Sequence, residues 1–172
     1  MTDPQTNAIP SAFWLVAYMS LLKPDELEDI QSRLQKYVID SESDKNSVSF
    51  NVAELLEDPV LNSGFSETLR LQVNGLSTRG VDSDTAITVH GEPFVLEKGS
   101  TVFCSMPGVH KDPEIYDEPE KFRLKRFIQL HTKGGEVDGR IPPFTKRGIP
   151  IRYPFLPWGG GVHMVSLLNF SY

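Results

Sequence analysis

Glu67-Thr68-Leu69-Arg70 sets a carboxylate and a guanidinium three residues apart, a spacing that puts both on one face of a helix. At an exposed site such a pair is common and contributes only about 0 to 1 kcal/mol. Leu61, Phe65, Leu69 and Leu71 flank it, however, so the helix is largely apolar. A buried ion pair that lacks one member costs about 3 to 5 kcal/mol, so a third charged group is expected to approach this one. The candidate is Arg126, in Phe122-Arg123-Leu124-Lys125-Arg126-Phe127, where two aromatics bracket a basic run.

A second constellation lies in Tyr153-Pro154-Phe155-Leu156-Pro157-Trp158-Gly159-Gly160-Gly161-Val162-His163-Met164, followed by Val165. Residues without a Cβ let backbone N–H groups come close to a ligand or to an acceptor such as a thiolate. The same glycines also read as a flexible turn, and His163 as a solvated loop histidine. No Gly-Lys-Ser/Thr follows, which argues against a phosphate loop. Cys104, the one cysteine, supplies neither a disulfide framework nor a multi-cysteine metal site, and a lone cysteine commonly serves as a small buried hydrophobe.

These groups need elements to position them. Residues 11–22 are apolar on almost every face, the pattern of a helix buried at the centre of a larger protein. Pro24 opens an amphipathic surface helix through residue 38, with Asp25, Glu26, Glu28 and Asp29 in its first turns. Residues 41–49 read as a loop, 52–56 as a short helix, and 59–73 as the longer helix carrying Glu67 and Arg70. Short β-branched segments at 76–81, 86–89, 94–96 and 101–104 predict a small sheet. Residues 127–152 lack periodicity and read as a long irregular connection.

The chain has 172 residues, 39 % of them hydrophobic and 23 % charged, within the range of one globular domain. Its longest apolar run is about half the ~20 residues of a membrane span, and the N-terminus lacks the basic start and cleavage site of a signal peptide. With a single cysteine, the expectation is an intracellular, reducing setting. The net charge of −6 conceals a stretch, 121–152, with nine basic side chains against two acidic ones. The acidic total and the scarcity of interleaved aromatics exclude a nucleic-acid-binding reading.

Taken in order, these motifs resemble the cytochrome P-450 family, from about residue 5 to 164. Its members share a helix with Glu-x-x-Arg, a Phe-x-Pro-Glu-Arg-Phe segment whose arginine completes a Glu-Arg-Arg triad, and a Phe-x-x-Gly-x-x-x-Cys loop beneath the haem. By resemblance Glu67, Arg70 and Arg126 form the structural triad, with Leu124 and Lys125 departing from the usual Pro-Glu. His110-Lys111-Asp112-Pro113 is similar to the family's His-Arg-Asp-Pro lead-in. Trp158, Gly159, Gly161 and His163 would be cofactor-binding, His163 at the position that often contacts a haem propionate.

The resemblance further implies a mixed α fold with a small β-sheet, that of the C-terminal portion of a cytochrome P-450, over residues 1–164. Residues 165–172 are expected to be an unrelated tail, and an intron-coded one: GTAAGT, a common splice donor, encodes Val-Ser in frame. The first helix would cross the distal face of the haem. There Asn7, Pro10 and Ser11 resemble the Asn-x-x-Pro variant of the branch containing prostacyclin synthase and sterol 7α-hydroxylases; the alternative is a helix that simply starts at Pro10. The implied activity is haem-dependent oxidation of a lipophilic, sterol or lipid, substrate with O2. Val165 stands at the cysteine position, so no metal ligand is predicted and the chain is expected to be inactive as written. Cys104 is not a substitute ligand. The stretch 121–152 would face an acidic reductase or ferredoxin, or be a solvated loop. A haem-free fragment that binds a redox partner or a full-length relative is the other function expected. Family members are often endoplasmic reticulum membrane proteins, although this chain carries no anchor.

Overall fold

The computed structural model describes residues 5–39, 48–89, 91–128, 144–151 and 153–158. Helix α1 (Gln5–Ser20) begins before Pro10, which lies inside it, so the reading of a helix starting at Pro10 is corrected. A proline in the second turn removes one bond to the carbonyl a turn earlier, and the remaining ladder carries the helix across it. One side of α1 packs on α4 (Pro59–Gln72). Tyr18 stacks on Phe122 with ring centroids 4.7 Å apart, and its hydroxyl accepts from the Gln72 amide. The other side, with Ile9, Phe13 and Val16 each about two-thirds exposed (65 %, 64 %, 68 %), meets no cover among the described residues.

Helix α2 (Pro24–Lys36) has Pro24 in its first turn, Asp25 and Glu26 beside it, and Arg33 and Lys36 in its last turn, the charge order that complements the helix dipole. It buries Ile30 against Val60 and Leu124, with Met19, Leu22, Leu34, Leu61, Phe122 and Ile128 around them. Helix α3 (Val52–Glu57) leads into α4 through Asp58. The Asp58 carboxylate caps α4 by accepting from the N–H groups of Val60 and Leu61 at 2.8 and 3.0 Å. It also accepts from the Tyr37 hydroxyl and pairs with Arg33, tying α2 to α4. Burial opposes the charge on Asp58, but these donors outweigh it and lower its pKa. Asp58→Ala should destabilise the fold by about 2 kcal/mol in urea melts at pH 7, because the cap and the phenol lose their acceptor together and Arg33 keeps only its bond to Asp29.

Leu124 can enter the core because position 64 is glycine: a Cβ there would stand 3.0 Å from the Leu124 Cδ1 atom. Beyond α4 the β segments form two separate antiparallel ladders rather than one small sheet. Strand β3 (Leu76–Gly80) pairs with β6 (Thr101–Ser105), and β4 (Thr85–Val89) pairs with β5 (Glu92–Leu96). Helix α5 (Met106–His110) follows, its N-terminus capped by Ser105, and then turns lead to Phe127.

Two short ladders fall where the sequence reads as loop or, at Val38, as the end of the second helix, which stops instead at Lys36. Strand β1 (Val38–Ile39) pairs with β2 (Ser49–Phe50), and β7 (Thr145–Lys146) with β8 (Ile149–Pro150) around Arg147 and Gly148, both at positive φ. Two-residue ladders leave no alternation to detect. No helix among the described residues is long and apolar enough to cross a membrane.

Candidate functional site

Glu67 and Arg70 occupy the buried face of α4, each fully shielded from solvent. Their contact is bidentate: Arg70 Nε donates to Glu67 Oε2 at 2.7 Å and Nη2 to Oε1 at 2.9 Å. Arg126 Nε reaches the same Oε1 at 2.8 Å, and the Arg123 backbone N–H donates to it at 3.1 Å. The carboxylate is thus paired with two guanidinium groups and hydrogen-bonded on both oxygens, which is the condition under which a buried charge is tolerated.

The arginines reach beyond the carboxylate. Arg70 Nη1 donates to the carbonyls of His110 and Pro119 at 2.6 and 2.7 Å. Arg126 donates to the carbonyls of Asp117, Glu118 and Lys121, closing a turn in which Glu118 sits at φ +45°. Hydrogen bonds from Lys121 and Arg123 hold the Glu118 carboxyl down at about 2. One carboxylate and two guanidinium groups therefore fasten α4, the end of α5 and the turns between Asp117 and Arg126 to one another.

The turns in question begin with Asp112, whose carboxylate accepts from the Glu114 N–H at 2.8 Å, the Asx turn that Asp-Pro favours. They bring Tyr116 under Arg70, whose guanidinium lies 4.8 Å from the ring centroid. Tyr116 and Phe127 pack with Phe144 and Phe155 into an aromatic cluster. Burial of the Tyr116 phenol pushes its pKa up. His110 and Tyr116, which the sequence reading assigned no side-chain role, both bond to the backbone of residues 153–158.

Pro157 and Trp158 end the described chain opposite α1 and α4. With Pro10, Ser11, Trp14, Thr68, Leu69, Gln72 and Val73 they line a cleft of about 350 Å³. Of the residues expected on the distal helix, Pro10 and Ser11 thus stand on the cleft wall, and Asn7 belongs to α1. Gly159, Gly161, His163 and Val165 lie outside the described residues.

Haem requires a flat apolar wall and an axial donor. The cleft offers Pro10, Trp14, Leu69, Val73, Pro157 and Trp158 toward the first need, but its lining holds no thiolate or imidazole. No group of three or more His, Cys, Asp or Glu among the described residues could hold a metal ion. Cys104 is exposed on β6, which corrects the expectation of a buried hydrophobe: among the described residues no layer covers that side of its strand. The valine side chain at position 165 has no lone pair to offer. The residues present offer the group apolar surface but not its ligation.

Every described cation of the stretch 121–152 already holds a carboxylate. Lys121 and Arg123 pair with Glu118, Lys125 with Asp29, Arg126 with Glu67, Lys146 with Asp112 and Glu114, and Arg147 with Glu114. Except for Glu67 these pairs are partly exposed, and each adds little to stability. Their combined effect is to balance the positive charge locally.

A model of the family described as Cytochrome P450 matches residues 21–164. Prostacyclin synthase from Bos taurus is 33 % identical over 160 residues, covering 91 % of this chain and 31 % of that protein. Cytochrome P450 7B1 from Mus musculus is 31 % identical over 159 residues, 90 % of this chain and 30 % of that protein. A solved zebra fish cytochrome P450 with progesterone superposes with a TM-score of 0.54 at 22 % identity, covering 90 % of this chain and 29 % of that one. The chain thus spans about three-tenths of the length of these relatives. A mixed fold of helices and small antiparallel ladders, the Glu67-Arg70-Arg126 cluster and a family match over most of the sequence agree, and the chain belongs to the cytochrome P450 family, whose cofactor is haem.

Proposed function

We propose that this chain carries the triad and one wall of the haem chamber of a monooxygenase for lipophilic substrates, and that it does not itself catalyse oxygenation. The observation that carries the second half is Val165, placed directly after the segment ending in Met164 where the family's loop has cysteine. A thiolate ligand pushes electron density onto iron and favours O–O cleavage, so an aliphatic side chain there removes the electronic lever. Glu67, Arg70 and Arg126 are the structural triad of this reading, and Trp158, Gly159, Gly161 and His163 the residues that would border the group. Residues 1–164 make the family unit and 165–172 a separate tail.

Lipophilic substrate is supported by the apolar cleft wall and by the names of relatives. Besides prostacyclin synthase they include a human 7-alpha-hydroxycholest-4-en-3-one 12-alpha-hydroxylase, 30 % identical over 161 residues. Electron delivery by a reductase or ferredoxin docking on 121–152, in an intracellular setting, completes the reading. Because the described cations there are paired, docking should depend only weakly on ionic strength.

The test is to express the chain, add haemin, reduce it and expose it to carbon monoxide. The expected result is no thiolate-type red-shifted Soret band, with Val165→Cys gaining one. Such a band in the unaltered chain would refute the inactive reading. A second reading, a haem-free module that binds a redox partner or a full-length relative, is favoured by the exposed side of α1. It predicts a stable complex with a full-length relative in a sedimentation experiment without haem, and loss of that complex on Phe13→Asp.

A further inference from the structure

Among the described residues, the side-chain nitrogen buried without a hydrogen-bond partner is Nδ1 of His110. The other nitrogen explains the arrangement. His110 Nε2 lies 2.9 Å from the Leu156 backbone nitrogen, and a backbone N–H can only donate, so Nε2 carries the lone pair and Nδ1 the proton. The imidazole is wholly buried, and the carbonyl of the same residue is held by Arg70 at 2.6 Å.

Two residues before Leu156, the carbonyl of Pro154 accepts from the Tyr116 hydroxyl at 2.8 Å. Between the two bonds, the Phe155 ring packs 5.6 Å from His110 and 4.8 Å from Phe127. Three consecutive residues of one segment are therefore gripped by the side chains that Arg70 organises. Pro157 and Trp158, the next two, form part of the cleft wall.

We infer that His110 and Tyr116 are positioning residues, a two-point latch that seats segment 153–158 and its cleft-facing Trp158, and that protonation of His110 opens it. This goes beyond the haem reading and holds with or without the cofactor. A proton on Nε2 would turn the acceptor into a second donor facing the Leu156 N–H. It would also place an imidazolium next to a guanidinium.

The charged and titratable surroundings favour the neutral ring. From α4 comes Arg70, with Glu67 on the far edge of that guanidinium. Lys111 and Asp112, adjoining His110, pair with Glu120 and Lys146. The loop contributes the un-ionised Tyr116 phenol, and segment 153–158 only the exposed Tyr153. Among the described residues no carboxylate pairs with the imidazole to receive a positive charge, and burial followed by the Arg70 charge lowers the His110 pKa to about 4.

Hydrogen exchange of the full chain, read at the Leu156 amide and corrected for intrinsic rates, tests the latch. Leu156 should open more readily than Leu69 and Leu71 of α4, and its protection should fall roughly tenfold as pH drops from 7 toward 5. Tyr116→Phe, which keeps the ring and loses the hydroxyl, should speed Leu156 exchange several-fold and leave the α4 amides unchanged. His110→Gln, with an amide that cannot be protonated in this range, should abolish the pH response. Leu156 exchanging in step with Leu69 and Leu71 at every pH would overturn the inference, as would a pH response that survives in His110→Gln.

Discussion

Glu67→Ala should cost about 4 kcal/mol, enough to leave the chain largely unfolded at 25 °C if its stability is at the lower end of the usual 5 to 15 kcal/mol. The substitution removes the acceptor of both guanidinium groups while Arg70 remains without solvent exposure. Adding Arg70→Met should restore only part of the loss. In an isolated buried triad, apolar replacement of every member is often neutral. Here Arg70 and Arg126 also satisfy five backbone carbonyls, at Asp117, Glu118, Pro119, Lys121 and His110, and no apolar side chain can do that. Urea unfolding followed by far-UV circular dichroism gives both numbers; a loss under 1 kcal/mol for Glu67→Ala would show that the cluster does not hold the turns together.

The three charged residues were legible for a local reason and a compositional one. Helical spacing alone sets Glu67 beside Arg70, and the leucines around them announce burial. Leu124 and Lys125, the departures from the family pattern, make sense only in three dimensions. Leu124 fills the space left by Gly64, and Lys125 pairs with Asp29 on α2, 96 residues earlier in the chain. The role of His110 was hidden for the same reason, since its partner is 46 residues away and no periodicity points to it.

Charge was legible as a count but not as a field. The stretch 121–152 looks strongly basic in a running sum, yet Asp112, Glu114 and Glu118 just before it in sequence fold back onto its lysines and arginines. Hydrophobicity was likewise legible as composition but not as burial. Among the described residues a helix apolar on nearly all faces stays half uncovered, with α4, Phe122, the cluster around Ile30 and Leu124 and the end of segment 153–158 on one side and nothing on the other. The two-residue ladders escaped altogether, since pairing that short is decided by the loops it closes.

Stability should fall as pH is lowered from 8 to 5, by about 2 kcal/mol, with His110 as the cause. The sign follows from which state binds the proton first. Unfolded His110 titrates near its ordinary 6.5, whereas in the fold burial and then the Arg70 charge depress it to about 4. Between those values the unfolded chain holds a proton that the native one refuses, so acidification favours unfolding. Below about 4 both states are protonated and this group contributes no further change. The carboxylates with lowered pKa, Asp29, Asp58, Asp112, Glu114 and Glu118, act in a lower window: their stabilisation is complete above their unfolded values of 3.8 to 4.5 and is lost beneath them. The interval from 6.5 down to 5 therefore isolates histidine. The chain has three other histidines, so the decisive quantity is a difference between two proteins. His110→Gln should be less stable than the unaltered chain at pH 8, having traded an imidazole seated on Leu156 for a smaller amide, and the gap should narrow by about 2 kcal/mol at pH 5. A gap that stays constant across that range would mean that His110 is protonated in the native fold as readily as in the unfolded chain, contrary to an imidazole buried beside Arg70.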